Sequence, residues 1–251
     1  MFRKIGVFLL TLGVLFSAIP LAFGAAYTDP LDGPQLDKMW TFRTPDKNDK
    51  NKFDKGWFIF DIQASQDLYI QGTDLAPMLL MDPPTDDKNF SIETKVNVVM
   101  DKPVQPVASH AGLIIFREDK WAYTLWGPYN NQDIRVEDCV GGTYRWRAEA
   151  QIAVDHAIDK DVWVKIEKRG EELEFFYKDS EGDKWESGGV DKKLGPEFKK
   201  GTYQIGLFLK NWGGSVAMTT GFDYFHSPEI AGLAVEPTGK AAVTWGRLKS
   251  R

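Results

Sequence analysis

The sequence predicts an all-β antiparallel sandwich, and three observations carry that expectation. Almost nothing after residue 24 has a helical period. Ten or more short strand-like runs follow one another at close spacing, separated by Gly, Pro, Asn and Asp turns. Where one face of a strand is legible, the period is two. In residues 90–99, Phe90, Ile92, Val96 and Val98 share one face, and Ser91, Glu93, Lys95 and Asn97 share the other.

The chain opens with a segment set apart from the fold. Arg3 and Lys4 precede an apolar run over 5–21, and Ala22 and Gly24 place small residues around a cleavage point. This reads as a secretory signal peptide over 1–24. The run is short for a spanning helix, and turn-rich polar sequence follows at once. The expected organisation is a sandwich domain over 27–228 and a tail over 229–251. The expected location is extracellular or periplasmic after cleavage, without membrane insertion.

The strands follow in order. Residues 39–43 read as a first strand and 45–55 as a polar loop. Residues 56–62 and 68–71 read as two strands, and 79–81 as a short one ended by Pro83-Pro84. Residues 111–116 form an apolar run that suits a strand buried on both faces, closed by the charged turn 117–120. In 121–129, Trp121, Tyr123 and Leu125 point one way; Ala122, Thr124 and Trp126 point the other. Tyr144 and Trp146 fall on a further strand, followed by 148–154. Residues 162–177 form a hairpin with Val162, Val164 and Ile166 on one face and its tip at Arg169-Gly170-Glu171. Residues 203–209 and 216–225 close the domain.

Charge and cysteine content exclude several classes. The formal net charge is −5, and losing Arg3 and Lys4 makes it more negative. That argues against nucleic acid and anionic membrane as partners. The single Cys139 has no intramolecular disulfide partner, so stability comes from burial. A monomer is expected.

Four stretches, in order, resemble a known family. They are Asp32, Gly33, Leu36, Asp37 and Trp40; Ala111, Gly112, Leu113, Arg117, Asp119 and Tyr123; Trp163, Ile166, Gly170, Tyr177, Gly182 and Trp185; and Ile205, Gly206, Leu207, Phe208, Asp223, Tyr224 and Phe225. The pattern is similar to the concanavalin A-like domain at the C-terminus of family 43 β-xylosidases, a type that also occurs alone in secreted bacterial proteins. The resemblance covers residues 29–227 and implies a two-sheet antiparallel jelly-roll sandwich with one concave face. It also implies structural roles for Trp40, Trp163 and Trp185. Glu181 stands before Gly182 where the family usually has Asp, and residues 127–142 form a longer insert.

The chemistry expected on this frame is recognition. The closely spaced carboxylates of sandwich-fold glucanases are absent, and adjacent Glu137 and Asp138 face opposite sides of a strand. His110, His156 and His226 have no metal-like spacing and read as surface or strand-end residues. Rings beside Arg and Asn suit a sugar, which stacks its C–H face on an indole while guanidinium groups hold its hydroxyls. The expected ligand residues are Arg117, Trp121, Tyr123, Trp126, Tyr129, Arg135, Tyr144, Trp146 and Trp212, with a polysaccharide or glycan as partner. No cofactor is expected beyond a structural calcium on Asp29, Asp32 and Asp223, where the first two also suit turn formers. The function expected is a non-catalytic, lectin-like carbohydrate-binding module. A glycoside hydrolase or lyase on the same fold, or a structural or adhesion domain without a ligand, stand as alternatives.

Overall fold

The computed structural model describes residues 26–69, 75–98, 108–130, 133–145, 152–155, 161–192, 194–199, 201–213 and 216–231. Residues 1–24, Trp146 and the tail beyond Ala231 lie outside them. The strands are β1 (Ala26–Asp29), β2 (Thr41–Arg43), β3 (Lys50–Asp54), β4 (Trp57–Ile62), β5 (Met78–Met81), β6 (Asn89–Asn97), β7 (Ser109–Arg117) and β8 (Ala122–Tyr129). They continue with β9 (Asp133–Val140), β10 (Thr143–Arg145), β11 (Ala153–Asp155), β12 (Asp161–Arg169), β13 (Glu172–Lys178), β14 (Glu186–Asp191), β15 (Gln204–Asn211) and β16 (Met218–Ala231). Sheet I runs β14-β13-β12-β6-β16-β4-β3, with β1 on β16; sheet II runs β10-β9-β8-β7-β15-β5-β2, with β11 on β9. All the pairings are antiparallel.

The alternation read in the sequence builds the space between the sheets. Sheet I contributes Phe58, Phe60, Phe90, Ile92, Val96, Val162, Val164, Ile166 and Phe175. Sheet II contributes Leu79, Met81, Leu113, Ile115, Trp126, Ile205, Leu207 and Leu209. Burying each such side chain contributes about 1.5–3 kcal/mol, which offsets the entropy of ordering a chain without disulfides.

Strands β1, β9 and β14 stand where the sequence offered none, β16 runs past residue 228, and two further segments depart from the expectation. Part of the polar loop 45–55 is a strand: β3 pairs with β4, and Asp54 faces Trp57 across a two-residue turn. Lys55 and Gly56 both have positive φ, 52° and 84°, the requirement of a tight hairpin turn whose twist matches its strands. Lys50, Asn51 and Lys52 blunt β3 as a sheet edge. Conversely, Leu68 and Tyr69 belong to no strand. They run in a segment that crosses the outer face of sheet II, and Leu68 is buried there.

Strands β7 and β8 meet unusually closely. A Cβ on Gly112 would stand 2.2 Å from the Trp126 carbonyl oxygen, and one on Gly127 would stand 2.0 Å from that of Ala111. Only hydrogen fits at either position.

Trp126 ties the two sheets together. Its Nε1 donates to the Phe176 carbonyl on sheet I at 2.8 Å. The β13–β14 register shifts between Phe175 and Phe176, so the indole meets the backbone at an irregularity in that ladder. The ring packs against Phe175 at 5.4 Å and over Gly188, where a Cβ would come within 2.6 Å of Cη2. Trp126→Phe removes the donor and leaves a void. We expect a loss of about 2–3 kcal/mol in urea unfolding with an unchanged m-value. A loss below about 0.5 kcal/mol would contradict the strut.

Candidate functional site

The outer face of sheet II is the one that the sequence offers as a working surface. Register places Tyr123, Leu125, Gly127 and Tyr129 opposite Cys139, Glu137, Arg135 and Asp133. His110, Ile114 and Phe116 of β7 and Phe208 and Lys210 of β15 share that side. Leu68 and Ala76, from the segment crossing this face, pack with Met78, Leu80, Ile114, Phe116, Trp121, Tyr123, Leu125, Cys139 and Phe208 in a second apolar cluster. The Tyr123 hydroxyl donates to the carbonyls of Leu68 and Tyr69 at 3.0 and 3.1 Å.

This roof decides the fate of the expected ligand residues. Trp126 is 0% exposed between the sheets; Tyr123 at 0% and Trp121 at 3% are sealed beneath the roof. None of the three rings offers a face to a sugar. Arg117 is also buried, with its guanidinium bound to both Asp119 oxygens at 2.6 and 3.0 Å and to the Glu197 carbonyl at 2.7 Å. It fixes a turn instead of gripping a ligand. The Tyr144 side chain and Trp146 lie outside the described residues.

Tyr129, Arg135 and Trp212 do come together, at one end of this face. Tyr129 and Trp212 have ring centroids 5.2 Å apart, and the Arg135 guanidinium lies 4.3 Å over Tyr129. Asp133 accepts from Arg135. Beneath them sits a buried charge cluster that sequence reasoning missed. Lys210 Nζ is bonded to the Glu137 carboxylate, to the Leu68 carbonyl at 3.2 Å and to Asp67 at 3.3 Å. His110, expected at the surface, is fully buried, with Nδ1 3.6 Å from Glu137 Oε2. That distance is too long for a good hydrogen bond.

Burial works against an ionised Glu137, but the charge of Lys210 and the nearby His110 outweigh it and hold the carboxyl below its ordinary value. Burial depresses His110, and Lys210 adds to that, while Glu137 partly opposes it. Tyr129 is pushed up to about 12 by burial and the charge of Glu137. A carboxylate locked ionised against a lysine is poorly suited to act as a general acid.

At the other end of sheet II a cleft of about 500 Å³ opens at the β7–β8 turn, between the prolines 83–84 and residues 201–204. On its rim Glu118 faces Arg43 at 3.5 Å, and Asp119 holds Arg117.

Besides Trp212, the accessible tryptophans among the described residues lie across the sandwich, on the outer face of sheet I. Trp57, Trp163 and Trp185 are half-buried there. Lys95 Nζ stands 4.6 Å from the Trp57 ring and 5.1 Å from Trp163. Lys178 Nζ stands 5.9 Å from Trp163 and 4.9 Å from Trp185, and Lys165 Nζ 4.8 Å from Trp185. The result is a row of indoles spaced by ammonium groups. Burial works against the Lys95 charge, but Asp161 at 2.9 Å and Asp223 at 3.2 Å hold its pKa above the ordinary value. Asp223 and Tyr224 reach this face because β16 shifts register between Phe222 and Phe225, leaving both phenylalanines in the core. Trp163 and Trp185, expected to be structural, are thus partly solvent-facing. The signal was in the strand itself, since Trp163 alternates with Lys165, Glu167 and Arg169 on the polar side of β12.

The three expected calcium donors are not gathered. Asp29 accepts from Leu31 N at 2.9 Å and Trp40 Nε1 at 2.7 Å, Asp32 is exposed, and Asp223 pairs with Lys95. Among the described residues no group of three or more His, Cys, Asp or Glu side chains is placed to hold a metal ion.

Two packed antiparallel sheets, with one roofed outer face and one open row of rings, define a concanavalin A-like sandwich. Residues 32–227 match the model of the β-xylosidase C-terminal concanavalin A-like domain, and the chain belongs to that family. No curated protein matches it. Among solved structures it is similar to the GH43 protein BlXynB of Bacillus licheniformis, at TM-score 0.60 and 18% identity, over 82% of this chain and 39% of that one. A xylan β-1,4-xylosidase of Bacillus halodurans C-125 aligns at TM-score 0.58 and 17% identity, over 80% and 38%. A structure from human gut microbiota, described with endo-acting O-glycanases of mucin breakdown, aligns at TM-score 0.54 and 16% identity, over 82% and 99%. At these identities the likeness concerns the fold. The chain spans about two fifths of the length of the Bacillus proteins.

The buried cluster makes two stability predictions. Lys210→Met strands the Glu137 charge and should cost about 3–5 kcal/mol in urea unfolding, while Lys210→Met with Glu137→Gln should recover part of it. No recovery would contradict the pairing. The unfolded imidazole titrates near 6.5 and folded His110 below it, so the unfolded chain binds the proton first as pH falls. Stability present above about pH 6.5 should therefore decline as pH drops toward the folded value. Glu137, also depressed, adds a further loss at lower pH. His110→Gln should flatten the slope between about pH 6.5 and 5; an unchanged slope would count against the assignment.

Proposed function

We propose that this chain is exported and acts as a non-catalytic carbohydrate-binding module. The observation that carries this reading is the row Trp57–Lys95–Trp163–Lys178–Trp185 on the outer face of sheet I. Half-buried indoles on the outer face of a sheet give a sugar ring an apolar edge. The lysines and carboxylates between them supply hydrogen-bond partners for hydroxyls, and they hold the indoles in place before any ligand arrives. Membership in a family of domains that accompany glycoside-cleaving chains supports a role beside a polysaccharide. The apolar leader over 1–24 supports export.

A second reading uses Tyr129, Arg135 and Trp212 on sheet II, the part of the expected surface that converges. Beneath it the charges of Lys210 and Glu137 are already paired with each other, which leaves the sheet I row the better platform.

Affinity electrophoresis against a polysaccharide panel tests the proposal. Retardation should appear on at least one glycan and disappear in Trp163→Ala with Trp185→Ala. It should persist in Trp212→Ala. A folded protein that no glycan retards would refute the reading.

A further inference from the structure

Away from both ring clusters, the fold leaves two buried side-chain oxygens without a partner at one corner of the sandwich. We propose that Asp46, Asp49 and Gln66 hold a calcium ion there, where the chain leaves β4 to cross sheet II.

Three pieces of chain meet at this corner. The turn before β3 carries Asp46 and Asp49, and the Asp49 amide donates to the Asp46 carbonyl at 3.2 Å. Gln63, just past β4, donates its amide to Asp49 Oδ1 at 3.3 Å. Gln66 Nε2 donates to Asp46 Oδ2 at 2.8 Å, which turns its side-chain amide toward the same turn. Asn211, at the end of β15, clamps the stretch that carries Gln66. Its Oδ1 accepts from Gln66 N at 2.7 Å, and its Nδ2 donates to the Gln63 carbonyl at 2.9 Å. The backbone thus fixes the donors in place.

The chemistry of the donors selects the ion. Asp49 is 8% exposed and Gln66 2%, yet Asp49 Oδ2 and Gln66 Oε1 have no hydrogen-bond partner. A bare, buried carboxylate oxygen costs free energy that a bound cation would offset. Burial, with the charge of Asp46 adding to it, pushes the Asp49 carboxyl up to about 6 despite the Gln63 amide. Asp46 is held below the ordinary carboxylate value by the Asn48 amide and by Gln66. Lys47, exposed on the same turn, adds a weak attraction to Asp46 but leaves Asp49 Oδ2 without a partner. Two carboxylates and an amide oxygen, with no nitrogen or sulfur donor in the set, suit a hard divalent cation. Calcium takes its remaining oxygens from backbone carbonyls and water in flexible geometry, whereas magnesium demands a strict octahedron. A site with only two carboxylates binds weakly.

Calorimetry tests this on the protein freed of metal by a chelator and then titrated with calcium or magnesium chloride. One calcium per chain should bind with a Kd of about 0.1–1 mM, and magnesium at least about tenfold more weakly. Calcium affinity should fall about tenfold from about pH 7.5 to about pH 5, because the proton and the ion compete for Asp49. Asp49→Asn should abolish binding, and Gln66→Met should weaken it at least about threefold. Calcium should raise the midpoint of thermal unfolding in the parent and leave that of Asp49→Asn fixed. Should Gln66→Met fail to fold, Asp49→Asn carries the test, since it removes the charge and keeps the shape. No binding heat and no midpoint shift at about 10 mM calcium would overturn the site. So would binding that survives Asp49→Asn, or that is as tight at about pH 5, as solvated surface carboxylates with ordinary pKa values would give.

Discussion

The ammonium group of Lys210 joins three pieces of chain that are distant in sequence. It leaves β15, meets Glu137 on β9 and reaches Asp67 and the Leu68 carbonyl in the segment that crosses sheet II. Without a partner, an ion buried this deeply would cost several kcal/mol. With these partners it pins the roof, and the roof covers an apolar layer from Met78 to Phe208. The rest follows from that constraint. Sheet II is covered on its outer face over Trp121, Tyr123 and Leu125, whose side chains serve packing, and besides Trp212 the described indoles left partly open to solvent stand on sheet I.

Much of the fold was legible in the sequence because two-residue periodicity is a direct record of which face is buried. Residues 90–99 and 162–177 show it plainly, and their apolar sets lie in the core. The alternation of residues 121–129 was also right, with Tyr123 and Leu125 opposed to Ala122 and Trp126. What the alternation could not reveal is that a distant segment would cover the second face. Trp121 and Tyr123 look like a displayed platform until Leu68 and Ala76 are placed over them. Long-range covering leaves no local signature, and strands favour aromatic residues whether they are displayed or buried.

The partial exposure of Trp163 escaped the sequence reading for a related reason. Trp163 matches a family position that repeats with the strand pattern, which suggests structure. Its neighbours Lys165, Glu167 and Arg169 share its face and say otherwise. A large apolar ring on the polar side of a half-buried strand is the informative exception, whereas a ring in an apolar run is ordinary core. Glu137 was read only as facing away from Asp138, without a partner, since Lys210 lies more than seventy residues away. His110 likewise gave no sign in the sequence of being packed between the rings of Tyr129 and Phe208.

The sandwich thus uses its two outer faces differently, one sealed by a polar clasp and one bearing rings held by paired lysines. The most direct test of that division is a proton–nitrogen correlation spectrum of the indole groups, with the nine tryptophans assigned, recorded while a glycan that retards the protein in affinity electrophoresis is added. The account predicts that the Nε1–H signals of Trp57, Trp163 and Trp185 shift in a saturable way while those of Trp121 and Trp126 stay fixed. Shifts confined to Trp121, Trp126 or Trp212, with the sheet I indoles unmoved, would contradict it.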